Sequence, residues 1–439
     1  MKYIAISIWL AAAFMPAKSM AEDLMQVFAL SLKSDPQLLA EAASQKAVGE
    51  LDAQAIARFL PEVNLSANDG RVWQDISTPS FVGGNREYNS HGYTLSITQP
   101  VYRRENLIQK NQADIAIESA QASYLITEQA LIVRVAERYF DFLDRQDDLT
   151  FAVAEKEAIA EQLEQTQQRF EVGLATITDV LESQAAYDLA NASVISAENE
   201  LENSKEQLRE TSGSYLETLS VLKAETPLVS PEPQDIEQWS VVALEQNPNL
   251  KVAKTAVEDA REAIKFQKSG HYPSLDVVGQ KNFSSQSETS FGGSSKTHQE
   301  SIGLQLNMPL YAGGGVTSRT REAEFRLDQA MQNEEQQRRA VVRQSRQAFN
   351  GVMSDISRVQ ALKQAVVSSE KALESTEAGY EVGTRTTVDV LNVRSDLFRA
   401  RRDYSRARYG YILNTLRLKQ AAGTVSTDDL SLINQWLEN

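Results

Sequence analysis

The sequence contains no cysteine and only 3 histidines in 439 residues. Without cysteine the chain can hold no zinc finger, iron–sulfur cluster, thiol nucleophile or disulfide framework. It also cannot carry a diacyl lipid anchor, which requires an N-terminal cysteine. Basic residues are outnumbered, because 44 lysines and arginines stand against 60 acidic residues and give a net charge of −16. A nucleic-acid binder needs a basic surface to neutralise phosphates, so the composition argues against nucleic acid as a partner.

Candidate catalytic groups are equally scarce. His91, His271 and His298 fall beside predicted strands or in their loops, with no acid or nucleophile at motif spacing. The glycines at 313–315 lack the lysine of a phosphate-binding loop, and we expect them to let a strand turn into a helix. The sequence therefore predicts no enzyme activity, no cofactor and no metal site. Only 11 prolines and 20 glycines interrupt the chain, which favours long secondary-structure elements.

The first 21 residues have the pattern of a secretory signal peptide. Lys2 precedes an apolar run from Tyr3 to Met15, and the segment ends on the small residues around Ala21. The apolar run is too short for a transmembrane helix, which needs ~20 apolar residues. No later stretch is apolar enough to cross a membrane as a helix. The sequence thus predicts an exported protein that could enter a membrane only as strands.

The remainder of the chain contains an internal duplication. Phe170–Leu181 aligns with Tyr380–Leu391, with seven of the twelve positions identical. Other landmarks recur at nearly the same distance: Asp35-Pro36 with Asn247-Pro248, Leu60-Pro61 with Tyr272-Pro273, and Gln99–Tyr102 with Met308–Tyr311. We therefore predict two tandem structural repeats, residues 22–226 and 227–439.

Each repeat changes its hydrophobic period in the same order. Residues 23–60 have a helical pattern, and a period of two follows Pro61 and returns around Tyr93. In the second repeat Ile302, Leu304, Leu306 and Met308 alternate with polar residues, as in a strand with one apolar face. The segments Gln74–Ser90 and Ser284–Gln299 are rich in serine and glycine and are predicted to be loops.

After these strands the pattern becomes helical over very long stretches. No proline or glycine occurs between Arg103 and Val172, so a continuous helix there would be roughly 105 Å long. The second repeat carries a coiled-coil-like stripe of Val352, Ile356, Val359, Leu362, Val366 and Leu373. The segment Ser214–Trp239 and the chain after Gly423 are predicted to form a compact connector at the middle of the rod.

Strand counting predicts an oligomer. Two strands per repeat give four per chain, each about long enough to cross a bilayer when tilted. Four strands cannot close a cylinder, and lipid does not tolerate open sheet edges. Eight strands from two chains would leave a lumen filled by side chains, whereas twelve from three chains would leave a water-filled bore. Counting alone leaves that choice open.

These features together resemble the TolC family of outer-membrane efflux proteins. The resemblance rests on the Asp35-Pro36 helix, Gln99-Pro100, the Phe-Glu-Val-Gly and Tyr-Glu-Val-Gly tips, and the run Thr384–Leu391. It implies an α+β fold with a long coiled-coil helical barrel and four amphipathic strands per chain, completed as a 12-stranded β-barrel in a homotrimer. It also implies a cell outer-membrane location and export of drugs or proteins, with most of the chain in the periplasm.

The hairpin tips are the candidate functional site. Gly173 and Gly383 are predicted to end one helix in the left-handed conformation. Thr176 with Asp179, and Thr386 with Asp389, match the capping box that starts the next helix. This structural interpretation explains the residues without any function, although it does not exclude a second role.

The resemblance adds three functional groups at the tips. It implies a clasp that holds the tunnel shut, made of Gln168, Thr178, Asp179, Tyr380 and Arg385. It implies a constriction ring at Asp389. The best-matched family pattern has a second acidic ring one helical turn later, where this chain has Asn392. It also implies that a periplasmic adaptor docks on the tip residues Val172, Gly173, Leu174, Val382, Gly383 and Thr384. The further partners it implies are outer-membrane lipid and an inner-membrane efflux pump or ABC transporter.

Two other interpretations remain open at this point. An exported coiled-coil spacer or adhesin without a conducting pore would explain the rods and the acidic charge, but not the duplicated amphipathic strands. A periplasmic adaptor would carry one hairpin and a lipoyl-like domain, which the sequence lacks. The sequence indicates neither the transported substrate nor whether the protein serves drug efflux or protein secretion.

Overall fold

A computed structural model describes residues 21–76, 84–288 and 293–438. The predicted signal peptide, apart from Ala21, lies outside the described residues. The first repeat consists of α1 (Leu24–Ser34), α2 (Pro36–Ala57), β1 (Glu62–Ile76), β2 (Gly84–Arg103), α3 (Arg104–Glu171) and α4 (Ile177–Ser212). The second consists of α5 (Ile236–Gln246), α6 (Pro248–Ser269), β3 (Ser274–Gln286), β4 (Ser295–Asn307), α7 (Gly315–Glu381) and α8 (Thr387–Ala422). A short α9 (Thr427–Asn434) follows.

The two repeats match in helix length as well as in order. The helices α1 and α5 each have 11 residues, α2 and α6 have 22, and α4 and α8 have 36. The long helices α3 and α7 have 68 and 67 residues. The predicted duplication is therefore present in three dimensions. The placement of the boundary between residues 226 and 227 remains a prediction.

The single helix predicted over residues 23–60 is in fact two. The chain breaks at Asp35, whose carboxylate accepts a hydrogen bond from the Leu38 backbone N–H at 2.9 Å and so caps α2. Pro36 suits the first position of a helix but cannot continue the preceding one, since it lacks an N–H. Asn247 and Pro248 make the same break between α5 and α6.

The four strands form one antiparallel sheet in the order β1-β2-β3-β4. The predictions of loops at Gln74–Ser90 and Ser284–Gln299 are wrong at both ends of each segment, where the chain is strand. The β1–β2 ladder continues up to the pair Ile76 and Gly84, and the β3–β4 ladder up to Gln286 and Ser295. Serine, asparagine and glycine there extend the polar end of the sheet rather than turning away from it. The centres of both predicted loops lie outside the described residues, and His91 and His298 lie within β2 and β4.

The register places apolar side chains of all four strands on one face. Val63 pairs with Ile97 and Leu65 with Leu95, while Val277 pairs with Leu304. Many of these side chains are exposed in the single chain, and Ile302 retains 83% of its accessible surface. Within the described part of the chain, no strand pairs with the outer edge of β1 or of β4. The sheet is thus open at both edges and apolar on one side.

The helices α3 and α4 form one antiparallel hairpin, and α7 and α8 form the other. The predicted stripe on α7 faces inward, since Val352 and Val359 are buried and its other members are half-buried. The main hydrophobic core lies at mid-rod, where α3 and α8 meet α1, α5, α9 and the connector. Short bridges join Glu22 to Leu219 and Leu222 to Leu437, within the segments that were predicted to form a connector. Among the described helices, none is both long and apolar enough to cross a membrane.

The two repeats differ where strand turns into long helix. In the first, β2 ends at Arg103 and α3 begins at the next residue. The Arg103 guanidinium binds both carboxylate oxygens of Asp276 on β3, each at 2.9 Å. In the second, seven residues separate β4 from α7, and Gly313 and Gly314 adopt φ values of +60° and +79°. The glycines therefore make the junction that was predicted for them.

Candidate functional site at the hairpin tips

The two hairpin tips are built in the same way. After α3 the chain passes through Gly173 at φ +80°, and after α7 it passes through Gly383 at φ +78°. Only glycine adopts this left-handed conformation without steric cost, so the predicted helix ends are confirmed. A side chain added at either glycine would meet no heavy atom within 4 Å, so both turns lie open at the end of the rod.

A capping box starts the second helix of each hairpin, as predicted. At the first tip, the Thr176 backbone N–H donates to Asp179 Oδ2 at 2.8 Å, and the Asp179 N–H donates back to the Thr176 hydroxyl at 3.2 Å. At the second tip, Thr386 and Asp389 repeat both bonds at 2.9 and 3.2 Å. These reciprocal bonds satisfy backbone donors that a helix start leaves free. They also hold both carboxylates in fixed positions at the tips.

Apolar side chains surround both turns. Val172 and Leu174 each expose 70% of their surface, and Val382 exposes 75%. Thr384 instead folds back on its own hairpin, where its hydroxyl donates to the Gly379 carbonyl at 3.0 Å. The tips therefore offer small apolar patches with a rigid backbone beneath them.

The five residues predicted to form the clasp are not joined within one chain. Gln168 donates to Glu164 on its own helix at 3.3 Å, and Thr178 is exposed. The Tyr380 hydroxyl accepts a hydrogen bond from Thr387 at 3.4 Å, again within its own hairpin. The Arg385 side chain lies against Gly379. In the part of the chain that the structure describes, no hydrogen bond or ion pair links Tyr380 or Arg385 to Gln168, Thr178 or Asp179.

A different residue links the two hairpins at the tips. The Arg169 guanidinium lies over the ring of Tyr380, 4.7 Å from its centroid. Sequence reasoning missed this contact, although Arg169 is next to Gln168 and Tyr380 was already singled out. The available signal was the repeat itself, because Arg169 aligns with Gly379 and is therefore a cation that only the first repeat carries.

The predicted constriction residues lie at the start of α8. Hydrogen bonds from the Thr386 backbone N–H and hydroxyl lower the pKa of Asp389 against the cost of desolvation, with a smaller effect from Arg385. Asp389 is therefore ionised at neutral pH. Asn392 is exposed one turn further along, on a groove between α3, α4 and α8.

Above the tips, a row of arginines on α8 binds the carboxylates of α3. Arg402 binds Glu155 at 3.1 Å, and Arg406 binds Asp144 and Asp148 at 3.1 and 3.0 Å. Burial raises the pKa of Asp144, against the attraction of Arg406. The Tyr409 hydroxyl donates to Asp147 at 2.8 Å in the same interface. This row ties the two hairpins together over their upper length.

No cluster of three or more possible metal-ligating side chains occurs among the residues that the structure describes. The grooves along the rods are open to solvent and are lined by charged as well as apolar side chains. The chemistry at the tips is thus that of charge and hydrogen bonding between helices, with side chains that can be released and rejoined without breaking a covalent bond.

Comparisons with known proteins agree with this architecture. A family model described as outer membrane efflux protein matches residues 27–214 and 239–424. The chain is 38% identical over 420 residues to the outer membrane protein TolC of Vibrio cholerae, covering 95% of this chain and 94% of that protein. It is 30% identical over 434 residues to the alkaline protease secretion protein AprF of Pseudomonas aeruginosa, covering 97% and 90%. Its fold is similar to the CmeC outer membrane channel of Campylobacter jejuni, with a TM-score of 0.79 and 15% identity over 95% of this chain and 90% of that one.

Proposed function

The chain belongs to the outer membrane efflux protein family, and on that premise we propose that its hairpin tips form a gate. The protein is an outer-membrane channel of the efflux and type I secretion class. We propose further that it catalyses no reaction and serves as a passive conduit. The energy for transport then comes from a partner in the inner membrane, either an efflux pump or an ABC transporter.

The open sheet supports assembly as a homotrimer. The outer edges of β1 and β4 are unpaired in the described chain, and the apolar face of the sheet is exposed. Unpaired edges are not stable in lipid, where backbone groups must all be paired, and an exposed apolar face is not stable in water. Three chains would join β4 of one copy to β1 of the next and close a cylinder of twelve strands. Its apolar face would contact outer-membrane lipid.

The exposed tips support docking of a periplasmic adaptor. Val172, Leu174 and Val382 are apolar and largely exposed, and they sit on turns whose backbone is fixed by left-handed glycines and capping boxes. A rigid apolar knob suits insertion between helices of a partner. We propose that these residues, with Gly173, Gly383 and Thr384, are the contact surface.

One observation carries the clasp proposal. Both hydrogen bonds that Thr176 gives to Asp179 use Oδ2, so Oδ1 has no partner in the described chain. The Arg385 guanidinium lies within ion-pair distance of no carboxylate there, although its charge has a small effect on Asp389. A guanidinium and a carboxylate oxygen, both unpaired and both at the tips, can form charge-assisted bonds between hairpins of neighbouring copies. Tyr380, Thr178 and Gln168 would add weaker bonds around them.

The clasp is tested by the double variant Tyr380→Phe with Arg385→Ser. We expect the trimer to assemble normally and to conduct markedly more in a planar bilayer, because three clasps are lost at once. Cells carrying this variant should become sensitive to large antibiotics. The matched control is Arg358→Ser, which removes an exposed arginine of α7 far from the tips. Normal assembly with unchanged conductance in the double variant would overturn the assignment.

The constriction ring is tested by changing its charge. A trimer would place three copies of Asp389 at the narrowest point, with neutral Asn392 one turn further. We expect Asn392→Asp to strengthen block of the current by multivalent cations from the periplasmic side, and Asp389→Asn to abolish it. Equal block in the parent and both variants would place the constriction elsewhere.

A further inference from the structure

The tips contain a contact between the hairpins that the clasp does not use. Arg169 lies in the last turn of α3 and Tyr380 in the last turn of α7. The guanidinium carbon is 4.7 Å from the centroid of the Tyr380 ring, within the ~6 Å over which a cation is attracted to an aromatic face. Both side chains are half-buried, so water screens this attraction less than at an open surface.

Among the described residues, Arg169 has no charged partner that would compete with the ring. Its Nε atom is buried and lacks a hydrogen bond in the described chain. No carboxylate of the described residues lies within ion-pair distance of Arg169. A guanidinium placed in this way directs its charge at the ring.

The ring and the hydroxyl of Tyr380 therefore have separate contacts. The hydroxyl accepts from Thr387 within hairpin α7–α8, whereas the ring contacts Arg169 of hairpin α3–α4. Among the described residues, the next hydrogen bond between the two hairpins lies further up the rod, where Arg394 on α8 donates to the Ala158 carbonyl on α3. The stack thus lies nearer the tips than any hydrogen bond or ion pair that joins the described parts of the two hairpins.

The repeat explains why a cation reaches from the first hairpin to the second, while the equivalent position of the second repeat carries none. Gly379 occupies the position in the second repeat that Arg169 occupies in the first. A Cβ atom at Gly379 would approach Arg385 Cγ to 2.8 Å. The second repeat needs space there for Arg385, while the first carries a cation that reaches across to Tyr380.

We propose that Arg169 is a positioning residue of the gate, which holds the second hairpin tip against the first by stacking on the Tyr380 ring. This inference rests on the proposed function of the tips as a gate. It assigns the ring of Tyr380 to closure within a chain and leaves its hydroxyl and Arg385 to the clasp between chains. Loss of the stack frees the tip of hairpin α7–α8 and shifts the channel toward its open state.

The test is a double-mutant cycle on the single-channel conductance of the assembled protein. Arg169→Met removes the charge and keeps an unbranched apolar stem, and Tyr380→Leu removes the ring. Arg169→Met should shift the closed–open equilibrium toward the open state by about two- to fivefold per stack, and Tyr380→Leu should shift it at least as far, because it also removes the hydroxyl assigned to the clasp. The combined variant should shift it no further than Tyr380→Leu alone, because the stack is already lost in that background.

Two conservative variants separate stacking from packing and from the clasp. Arg169→Lys keeps a cation and should restore most of the closed state. Tyr380→Phe keeps the ring, so Arg169→Met should have its full effect in that background. Trimer yield should stay normal throughout, since the contact lies far from the mid-rod core.

The results distinguish this inference from the clasp. Additive effects of Arg169→Met and Tyr380→Leu, or unchanged conductance in Arg169→Met, would overturn the stack even if Tyr380→Phe with Arg385→Ser opens the channel. Coupling within the cycle while that clasp variant stays closed would instead overturn the clasp and keep the stack.

Discussion

The middle of the rod and its tips use the same long helices but bury different side chains. At mid-rod, α3 and α8 bury large residues almost completely: Tyr139, Phe140, Phe142, Tyr411 and Ile412. Near the tips the buried positions include small or polar residues: Gln162, Thr166, Ser183 and Thr376. The first region therefore excludes much more apolar surface from water for each turn of helix.

The hydrogen bonds of the two regions also differ, because those at mid-rod join separate elements and those near the tips lie within one helix. At mid-rod the Tyr139 hydroxyl donates to the Ser220 carbonyl at 2.7 Å, and the Tyr411 hydroxyl donates to Val229 at 2.9 Å. These bonds join separate elements and would break if the elements moved apart. Near the tips, Thr166 and Thr376 each donate to a carbonyl of their own helix at 2.8 Å. The hairpins can thus separate at the tips without losing those bonds, whereas the middle must stay closed.

The strongest way to break this comparison is to remove one phenylalanine from each region of α3. Phe140→Ala should destabilise the protein by about 3–5 kcal/mol, because it leaves a cavity in the core. Phe170→Ala, at a side chain that is 42% exposed, should cost less than about 1 kcal/mol. The denaturation midpoint of the detergent-extracted protein, followed by the fluorescence of Trp239 and Trp436, measures both. Equal losses would mean that the tips carry as much stability as the middle.

A smaller difference in stability is expected between alanine variants of two glycines that have the left-handed conformation. Gly423 at mid-rod and Gly383 at the second tip both have φ +78°, so alanine should cost each about 1–2 kcal/mol of backbone strain. An alanine Cβ at Gly423 would also approach the Gln246 carbonyl oxygen to 2.5 Å, while one at Gly383 meets nothing within 4 Å. Gly423→Ala should therefore cost a further ~1–3 kcal/mol from overpacking. The same denaturation measurement checks this, and indistinguishable midpoints would contradict the packing described at Gly423.

The smallest effect is a local pH dependence at the second tip. Hydrogen bonds from Thr386 lower the pKa of Asp389, so the ionised carboxylate stabilises the first turn of α8. This contribution is fully present above the ordinary carboxyl range and is lost as the pH falls through the lowered pKa. Amide hydrogen exchange near Thr386 should therefore accelerate below about pH 4, relative to the intrinsic rate, in the parent. The variant Asp389→Asn should show no such transition, and a transition that persists in it would assign the effect to another group.

The sequence predicts the tips well because their structure is local. Each tip has a glycine, a threonine three residues later, and an aspartate three residues after that. The glycine defines the turn and the other two form the helix cap, so all of the contacts lie within seven residues. The same applies to the break at Asp35-Pro36, although the helical period across it suggested one continuous helix. The strand ends were harder, since serine and glycine are common in turns and only cross-strand pairs such as Arg71 with Glu87, at 2.7 Å, show that the ladder continues.

Contacts between hairpins could not be predicted from spacing. Arg169 and Tyr380 are separated by more than two hundred residues, and only the packing of α3 beside the second hairpin brings them together. The row of arginines on α8 has the same origin, because each finds its carboxylate on α3. The family resemblance supplied five clasp residues, and their assignment stays a prediction, since none of the bonds between them forms within one described chain.

The unequal junctions between sheet and rod have a mechanical consequence. At the first junction the chain passes from β2 directly into α3, and Arg103 is bound to Asp276, so we expect this junction to be rigid and to transmit torque. Gly313 and Gly314 can rotate about their backbone bonds more freely than any other residue pair would, so we expect the junction before α7 to be flexible. We expect twisting of the sheet to reach the first hairpin directly, and the second only through its contacts with the first. An outer membrane under lateral stress would then act on Tyr380 through the Arg169 stack and the arginine row rather than through the junction before α7.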